Sequence, residues 1–270
     1  MEEPLPLFDR DTRLTRISDT SWQGTLSPAW NIGDNPNGGY MVACALRALN
    51  DVLPHPHPLS VTTHFLRTGI AGEAFKIQIE LIRTGRTLST VRATLLQAAK
   101  ARIEILAAYG DLDTGVGVGT TLTVPPPELP EPGTCPLRSG ETQGIHLPIL
   151  ERLEVRLHPA QADAGNYPRA VVSGWIRHVD ERDPDAPSLV VFADAFPPSP
   201  FAMLGVVGWV PTLELTVHVR AIPAPGWIRA EFSTRDLQGG RMIESGQLWD
   251  SNGVLVAQSR QLGLVMNQSN

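Results

Sequence analysis

Residues 59–65 read Leu-Ser-Val-Thr-Thr-His-Phe, and residues 213–219 read Leu-Glu-Leu-Thr-Val-His-Val. Laid over one another they set His64 against His218 at an offset of 154. Two further markers keep nearly the same step. Trp22 in SWQGT meets Trp175 in SGWIR at 153, and Arg86 in TGRTLS meets Arg241 in GGRMIE at 155. Self-similarity at a fixed period is the mark of a repeated architecture. The competing reading is chance likeness between two β-rich halves, and three markers spread along the unit weigh against it.

Outward from these strands each half shows the same order of elements. In the first, residues 13–18 and 20–26 read as a short strand pair. Residues 38–53, GGYMVACALRALNDVL, are apolar nearly all round, which marks a buried helix. Asn37 is its expected N-cap and Pro54 its stop. In residues 73–84, Phe75, Ile77, Ile79 and Leu81 alternate with Lys76, Gln78 and Glu80, the pattern of a half-buried antiparallel strand. Residues 59–68, 87–98 and 101–110 complete a meander that turns at Thr84-Gly85-Arg86 and Ala99-Lys100. The second half repeats this with strands near 152–158 and 170–179, an apolar segment at 189–196, and strands near 212–220, 227–236, 241–250 and 254–265. Asp250-Ser251-Asn252-Gly253 supplies hairpin chemistry, because Asn-Gly tolerates positive φ.

Each half is thus one central helix wrapped by a curved antiparallel sheet. The expected fold is α+β, a double hot-dog of two tandem modules. The expected division is 1–114 for the N-terminal module, 115–148 for a Pro/Gly-rich linker over the surface, and 149–270 for the C-terminal module. The GVGVG at 115–119 lacks the following helix that a phosphate loop needs, so it reads as linker.

Composition narrows the function classes. An apolar fraction of 42% builds a full core, and a net charge of −6 without a basic block speaks against nucleic acid. No apolar run reaches membrane-spanning length, and the opening MEEPLPLFDR is too acidic and polar for a signal peptide. Cys44 and Cys135 are expected to be reduced thiols in a cytoplasm.

The strongest local anomaly is Asp194, in LVVFADAF at 189–196. An ionised carboxylate among Val190, Val191, Phe192 and Phe196 costs several kcal/mol unless it is hydrogen-bonded or neutralised. The equivalent place in the first half falls near Tyr40-Met41, where no acid stands. An acid in one of two equivalent sites points to a task; the alternative is a helix-end aspartate facing solvent or holding a loop.

The residues FAD at 192–194, TLELTVHVR at 212–220 and LVAQSRQ at 255–261 resemble the C-terminal half of acyl-CoA thioesterases of the thioesterase II type. GGYMVACAL resembles that family's G-G-Q helix start, and HFLRTG at 64–69 resembles its F-L-R-P-G strand end. The resemblance covers most of both modules and misses the linker. It departs at Glu214-Leu215-Thr216, where D-H-[ST] is familiar, and at Tyr40, where Gln is typical. It implies that Asp194, Thr212 and Gln261 together hold the hydrolytic water. Asp194 would act as base or orienting acceptor, and Thr212 and Gln261 would fix the water's other hydrogen bonds.

Backbone N–H groups at a helix N-terminus are the expected oxyanion donors, which makes Gly38, Gly39 and Tyr40 the candidate oxyanion and substrate-binding residues. No cofactor or metal is expected. The substrate would be an acyl-CoA or an acyl-carrier thioester, with no nucleic acid or membrane partner, and the expected assembly is a homodimer. The Pro-flanked His55 and His57 read as solvated loop rather than metal ligands, and His64 and His218 as shared structural strand residues. Arg67, Arg83 and Arg86 are weak candidates for CoA phosphates, and the six Trp residues read as core or rim. Two other readings remain: a non-catalytic acyl-CoA binding protein, and a hot-dog enoyl-CoA hydratase or dehydratase, which generally pairs a His with the acid.

Overall fold

The computed structural model describes residues 4–114, 121–141, 144–206 and 208–266; the GVGVG at 115–119 lies outside them. The first module runs α1 (Leu7–Asp11), β1 (Thr15–Ser18), β2 (Ser21–Thr25), β3 (Asn31–Ile32), β4 (Asn35–Pro36), α2 (Gly38–Asn50), β5 (His57–Phe65), β6 (Ala74–Thr84), β7 (Ser89–Gln97) and β8 (Lys100–Gly110). The second runs β9 (Leu153–Leu157), β10 (Val171–His178), α3 (Ala186–Phe192), α4 (Pro200–Leu204), β11 (Thr212–Val219), β12 (Ile228–Gln238), β13 (Arg241–Trp249) and β14 (Leu255–Leu264).

Twelve strands form one sheet in the order β1-β2-β6-β7-β8-β5-β11-β14-β13-β12-β10-β9. The last six places repeat the first six in reverse, so a pseudo-twofold axis passes between β5 and β11. Thr62 and Thr216 face each other across it, their hydroxyl oxygens 3.0 Å apart. The equivalence extends to register. Val61 opposes Ala107 as Leu215 opposes Gln261, and the irregularity between Pro58 and Ser60 recurs between Thr212 and Glu214. This is the double hot-dog that the repeat implied.

Alternation makes the strands. In β6, Phe75, Ile77 and Ile79 are buried while Lys76, Gln78 and Glu80 are exposed. The β7–β8 turn falls at Ala98-Ala99, one residue before the expected position, and both alanines take positive φ. The Asp250–Gly253 hairpin forms as expected. Asp250 Oδ1 accepts from the N–H groups of Asn252 and Val254, and Gly253 sits at φ 77°.

The two central helices differ. α2 is capped by Asn37, whose Oδ1 accepts from Tyr40 N at 2.9 Å, and it is buried along nearly its whole length. It ends at Asn50, ahead of the expected boundary near residue 53. Its counterpart α3 is capped in the same way, Asp185 Oδ1 accepting from Ser188 N. The helices therefore correspond at an offset of 148, from Asn37 to Asp185, rather than 154, and Asp194 is not the counterpart of Tyr40-Met41. Beyond α3 the chain meets Pro197, Pro198 and Pro200. Proline removes an N–H donor and crowds the preceding turn, so the second helix is broken into α3 and α4. Asp194 therefore lies in the turn after α3, not on a helix.

The N-terminal α1 ties the modules together. Asp9 pairs with Arg47 at 2.7 Å and with Arg182 at 2.6 Å, and both guanidinium groups lie over the Phe8 ring. The inter-module segment begins as expected on the outside: Val124 O and Pro130 O accept from the indoles of Trp249 and Trp175. It does not stay there. Cys135, Arg138 and Leu147 are buried, which corrects the reading of this Pro/Gly-rich stretch as surface throughout.

Candidate functional site

A cavity of about 590 Å³ opens between the start of α2, the α3–α4 turn and the strands β11–β14. Asp194, Thr212 and Gln261, far apart in the sequence, all line it.

Asp194 is held from the other module. Its Oδ2 accepts from Gly39 N at 2.9 Å and from Asn37 Nδ2 at 3.0 Å, and Asn37 Nδ2 also donates to the Asp194 carbonyl at 2.8 Å. Asn37 thus caps α2 with its oxygen and grips Asp194 with its nitrogen. The approach is close enough to exclude side chains. A Cβ at Gly39 would lie 2.8 Å from Val190 O, and one at Gly38 would lie 2.6 Å from the Phe65 ring and 3.0 Å from Asp194 Oδ2. Burial pushes the Asp194 carboxyl up to about 6, against the pull of the Gly39, Asn37 and Gly38 hydrogen bonds and the Arg138 charge. At neutral pH it is an ionised group whose proton affinity sits near working pH.

Gln261 is buried on β14 and its amide donates to Thr212 Oγ1. That bond occupies an acceptor site of the hydroxyl and leaves its proton available to another group.

Three further described charged groups line the cavity, Arg67 and two that the sequence does not single out. Glu244 on β13 stands opposite Gln261, and its Oε2 accepts from Ser199 N at 2.7 Å. Burial raises its pKa, and the nearby Asp194 charge adds to the rise. Arg138, from the inter-module segment, is only 6% exposed and donates from Nη1 to Ala195 O at 2.6 Å. Desolvation draws its pKa down to about 10, so it stays a cation at pH 7.

The helix-start candidates need correction. Gly38 lines the cavity, but the Gly39 N–H is engaged by Asp194 and Gly38 N–H also serves that carboxylate. The anion held at this helix N-terminus is the protein's own Asp194 carboxylate, not a substrate oxyanion. Tyr40 points away from the cavity: its hydroxyl donates to Asp11 O at 2.7 Å and accepts from Ser27 N at 3.1 Å, and its ring stacks on Trp30.

The histidines fall elsewhere. No histidine is among the described residues that line the cavity. His55 is not solvated: it is buried, with Nδ1 at 2.8 Å from Ser89 Oγ. His57 begins β5 and lies near Asp111 and Asp113, a set of ligand types with metal-compatible spacing at the opposite end of β5 from the cavity. Its Nδ1 accepts from Leu112 N at 3.2 Å. Among the candidate phosphate ligands only Arg67 lines the cavity, and Trp209 is the one Trp among the lining residues. Cys44 is a free, buried thiol raised to about 12 by desolvation, and Cys135 is free as well.

Residues 26–112 match the acyl-CoA thioesterase N-terminal domain and residues 126–265 the acyl-CoA thioesterase C-terminal domain. An uncharacterized protein of Mycobacterium tuberculosis is 27% identical over 92% of this chain and 91% of its own. A thioesterase-like protein of Talaromyces wortmannii is 23% identical over 97% and 92%. Among solved structures, a Thermobifida fusca protein assigned as a thioesterase II superposes with TM-score 0.88 and 28% identity over 98% of this chain and 99% of that one. A hot-dog protein of unknown function from Alicyclobacillus acidocaldarius gives 0.87 at 22% identity over 98% and 100%, a likeness of fold. With both of its domains matched in order along one chain, the protein belongs to the acyl-CoA thioesterase family.

Proposed function

We propose that the protein hydrolyses an acyl-CoA thioester to a free acid and CoA by direct attack of water. The observation that carries this reading is the pairing of two features on one cavity. One is a carboxylate tuned to about 6 by burial, and the other is the Thr212–Gln261 hydroxyl–amide pair. A thioester carbonyl needs a water aimed at its carbon, a base for the proton, and groups that fix the water's remaining hydrogen bonds. Asp194 takes the proton, and Thr212 and Gln261 orient the water. No acyl-enzyme is required. The apolar wall of Phe196, Phe201, Phe232 and Met242 suits the acyl chain, and exposed Arg67 suits the CoA phosphates.

The first module contributes Asn37 and Gly38 to the cavity wall and the Gly39 N–H to Asp194, so the reading is one site per chain completed by both modules. None of the described helices is long and apolar enough to cross a membrane.

The test is release of free thiol from a panel of acyl-CoAs of short to long chain. Asp194→Asn is expected to lower kcat at least a hundredfold, the scale of general-base effects. Undiminished turnover in that variant removes Asp194 from the mechanism. Binding of acyl-CoA without thiol release by the wild type would instead make the protein a binding module. Loss of enoyl absorbance without thiol release would make it a hydratase.

A further inference from the structure

An oxyanion site needs donors about 2.7–3.1 Å from the carbonyl oxygen of the tetrahedral species. The donors expected from the sequence are engaged. Gly39 N–H and Gly38 N–H serve Asp194, and Tyr40 N–H serves Asn37 Oδ1. The side-chain amides of Asn37 and Gln261, which were not among those donors, serve Asp194 and Thr212. The described charged residues on the cavity are Asp194, Glu244, Arg67 and Arg138. Of the two cations, Arg67 is exposed and donates to Ala101 O, whereas Arg138 is buried. The Arg138 Nη1 bond to Ala195 O pins the guanidinium beside the residue that follows Asp194. It thus puts a positive charge in the wall beside the base.

We propose that Arg138 is a catalytic residue that donates to the thioester carbonyl oxygen and stabilises the oxyanion. The proposal rests on the thioesterase reading above and assigns the part of the chemistry that α2 cannot supply.

Charge balance makes the arrangement work. At rest the Asp194 carboxylate and the Arg138 guanidinium offset each other. On attack, the water oxygen bonds to the acyl carbon, the carbonyl π pair moves onto oxygen, and the water proton passes to Asp194. The negative charge therefore leaves Asp194 as it appears on the carbonyl oxygen, and Arg138 faces one anion throughout. On collapse the C–S bond breaks with its electron pair on sulfur, and Asp194 returns the proton to the leaving thiolate. Such a fixed charge in a poorly solvated wall needs no reorganisation during the reaction.

The experiment is steady-state thiol release from an acyl-CoA between pH 5 and 9 for the wild type, Arg138→Met, Arg138→Lys and Arg138→Ala. Arg138→Met is expected to lose about a hundredfold to a thousandfold in kcat with KM changed only a few-fold. Its acid limb should also move to higher pH, because Asp194 loses its cationic neighbour while Glu244 and Arg67 stay in place. Arg138→Lys should keep the wild-type limb and recover at least tenfold of the loss. Guanidinium ion should restore turnover to Arg138→Ala where sodium at equal ionic strength does not, a readout that misfolding cannot imitate.

An Arg138→Met enzyme within fivefold of the wild type overturns the proposal. So does a loss with an unmoved acid limb and no rescue, since that describes a residue that only pins the Ala195 carbonyl. If the wild type cleaves acyl-CoA and needs Asp194 but not Arg138, this assignment alone falls. If the wild type cleaves none, the thioesterase reading falls and takes this assignment with it.

Discussion

Four positions separate the two modules. Where the second has Thr212, Glu244 and Gln261, the strand register puts Pro58, Val91 and Ala107 in the first. Counted from the helix caps Asp185 and Asn37, Asp194 falls at the place of Leu46. The strand register is shared, down to the irregularity at Pro58–Ser60 and Thr212–Glu214, while the chemistry is not. In the first module an unbroken α2 fills the concave face of its sheet, and Val91 and Ala107 pack in the core. In the second, prolines break the helix, the face is left partly open, and polar side chains take the wall of the opening. The closed module is not idle, because the N-terminus of its helix reaches across to hold the acid of the open one.

The sharpest way to break this comparison is a reciprocal exchange. Ala107→Gln places an amide in a site that is 2% exposed and already filled. Overpacking and an amide without partners should together cost about 3–5 kcal/mol. Gln261→Ala removes the equivalent amide from a cavity wall and should cost about 1 kcal/mol or less, while turnover falls at least tenfold. Chemical denaturation and thiol release measure both sides. Similar stability losses in the two variants would mean that the second module is as tightly filled as the first.

Asp194 gives a second contrast, in stability against pH. Its folded pKa is raised from 3.8 to about 6, so the folded chain holds a proton that the unfolded chain releases at lower pH. Its contribution is favourable below pH 4 and is lost as pH rises from about 4 through about 6. A shift of that size corresponds to at most about 3 kcal/mol. Asp194→Asn removes this dependence, so the variant should gain stability over the wild type from pH 4 to 7, even as it loses turnover. The wild-type kcat/KM should fall about tenfold per pH unit below 6, where the base is protonated. An unchanged stability difference between pH 4 and 7 would show that the carboxylate is not desolvated.

The fold was legible because alternation and a repeat offset are carried by residues close in sequence, and the order of strands follows from pairing the copies. The convergence of Asp194, Thr212 and Gln261 on one cavity was legible because an acid in an apolar run is conspicuous and the resemblance supplied its companions. Glu244 was not. It sits in a strand where acids on the outer face are ordinary, and only its match to Val91 by register identifies it as inward-facing. Arg138 was hidden by composition: a stretch rich in Pro and Gly argues against regular structure, but not against burial. The start of α2 reads as an oxyanion site, but its Gly39 N–H serves Asp194 instead. Which anion would occupy it depended on a crossing of α2 and α3 that periodicity does not encode.

Tyr40 closes the comparison from the side of the first module, with the smallest expected effect. It stands in the first turn of α2, the helix end that holds Asp194, yet its hydroxyl joins Asp11 O and Ser27 N rather than the cavity. Asp11 in turn accepts from Trp30 and Arg152, so the Tyr40 hydroxyl belongs to a clamp between α1 and both modules. Tyr40→Phe keeps the ring on Trp30 and leaves Ser27 N–H and Asp11 O without that partner. The expected loss is about 1–2 kcal/mol of stability, read by thermal or denaturant unfolding. With Tyr40 away from the cavity wall, kcat and KM should stay within about twofold, since no interaction with the transition state is removed. A larger fall in kcat would put Tyr40 back against the substrate and make the first module a direct participant in the chemistry, where the geometry gives it the task of holding Asp194.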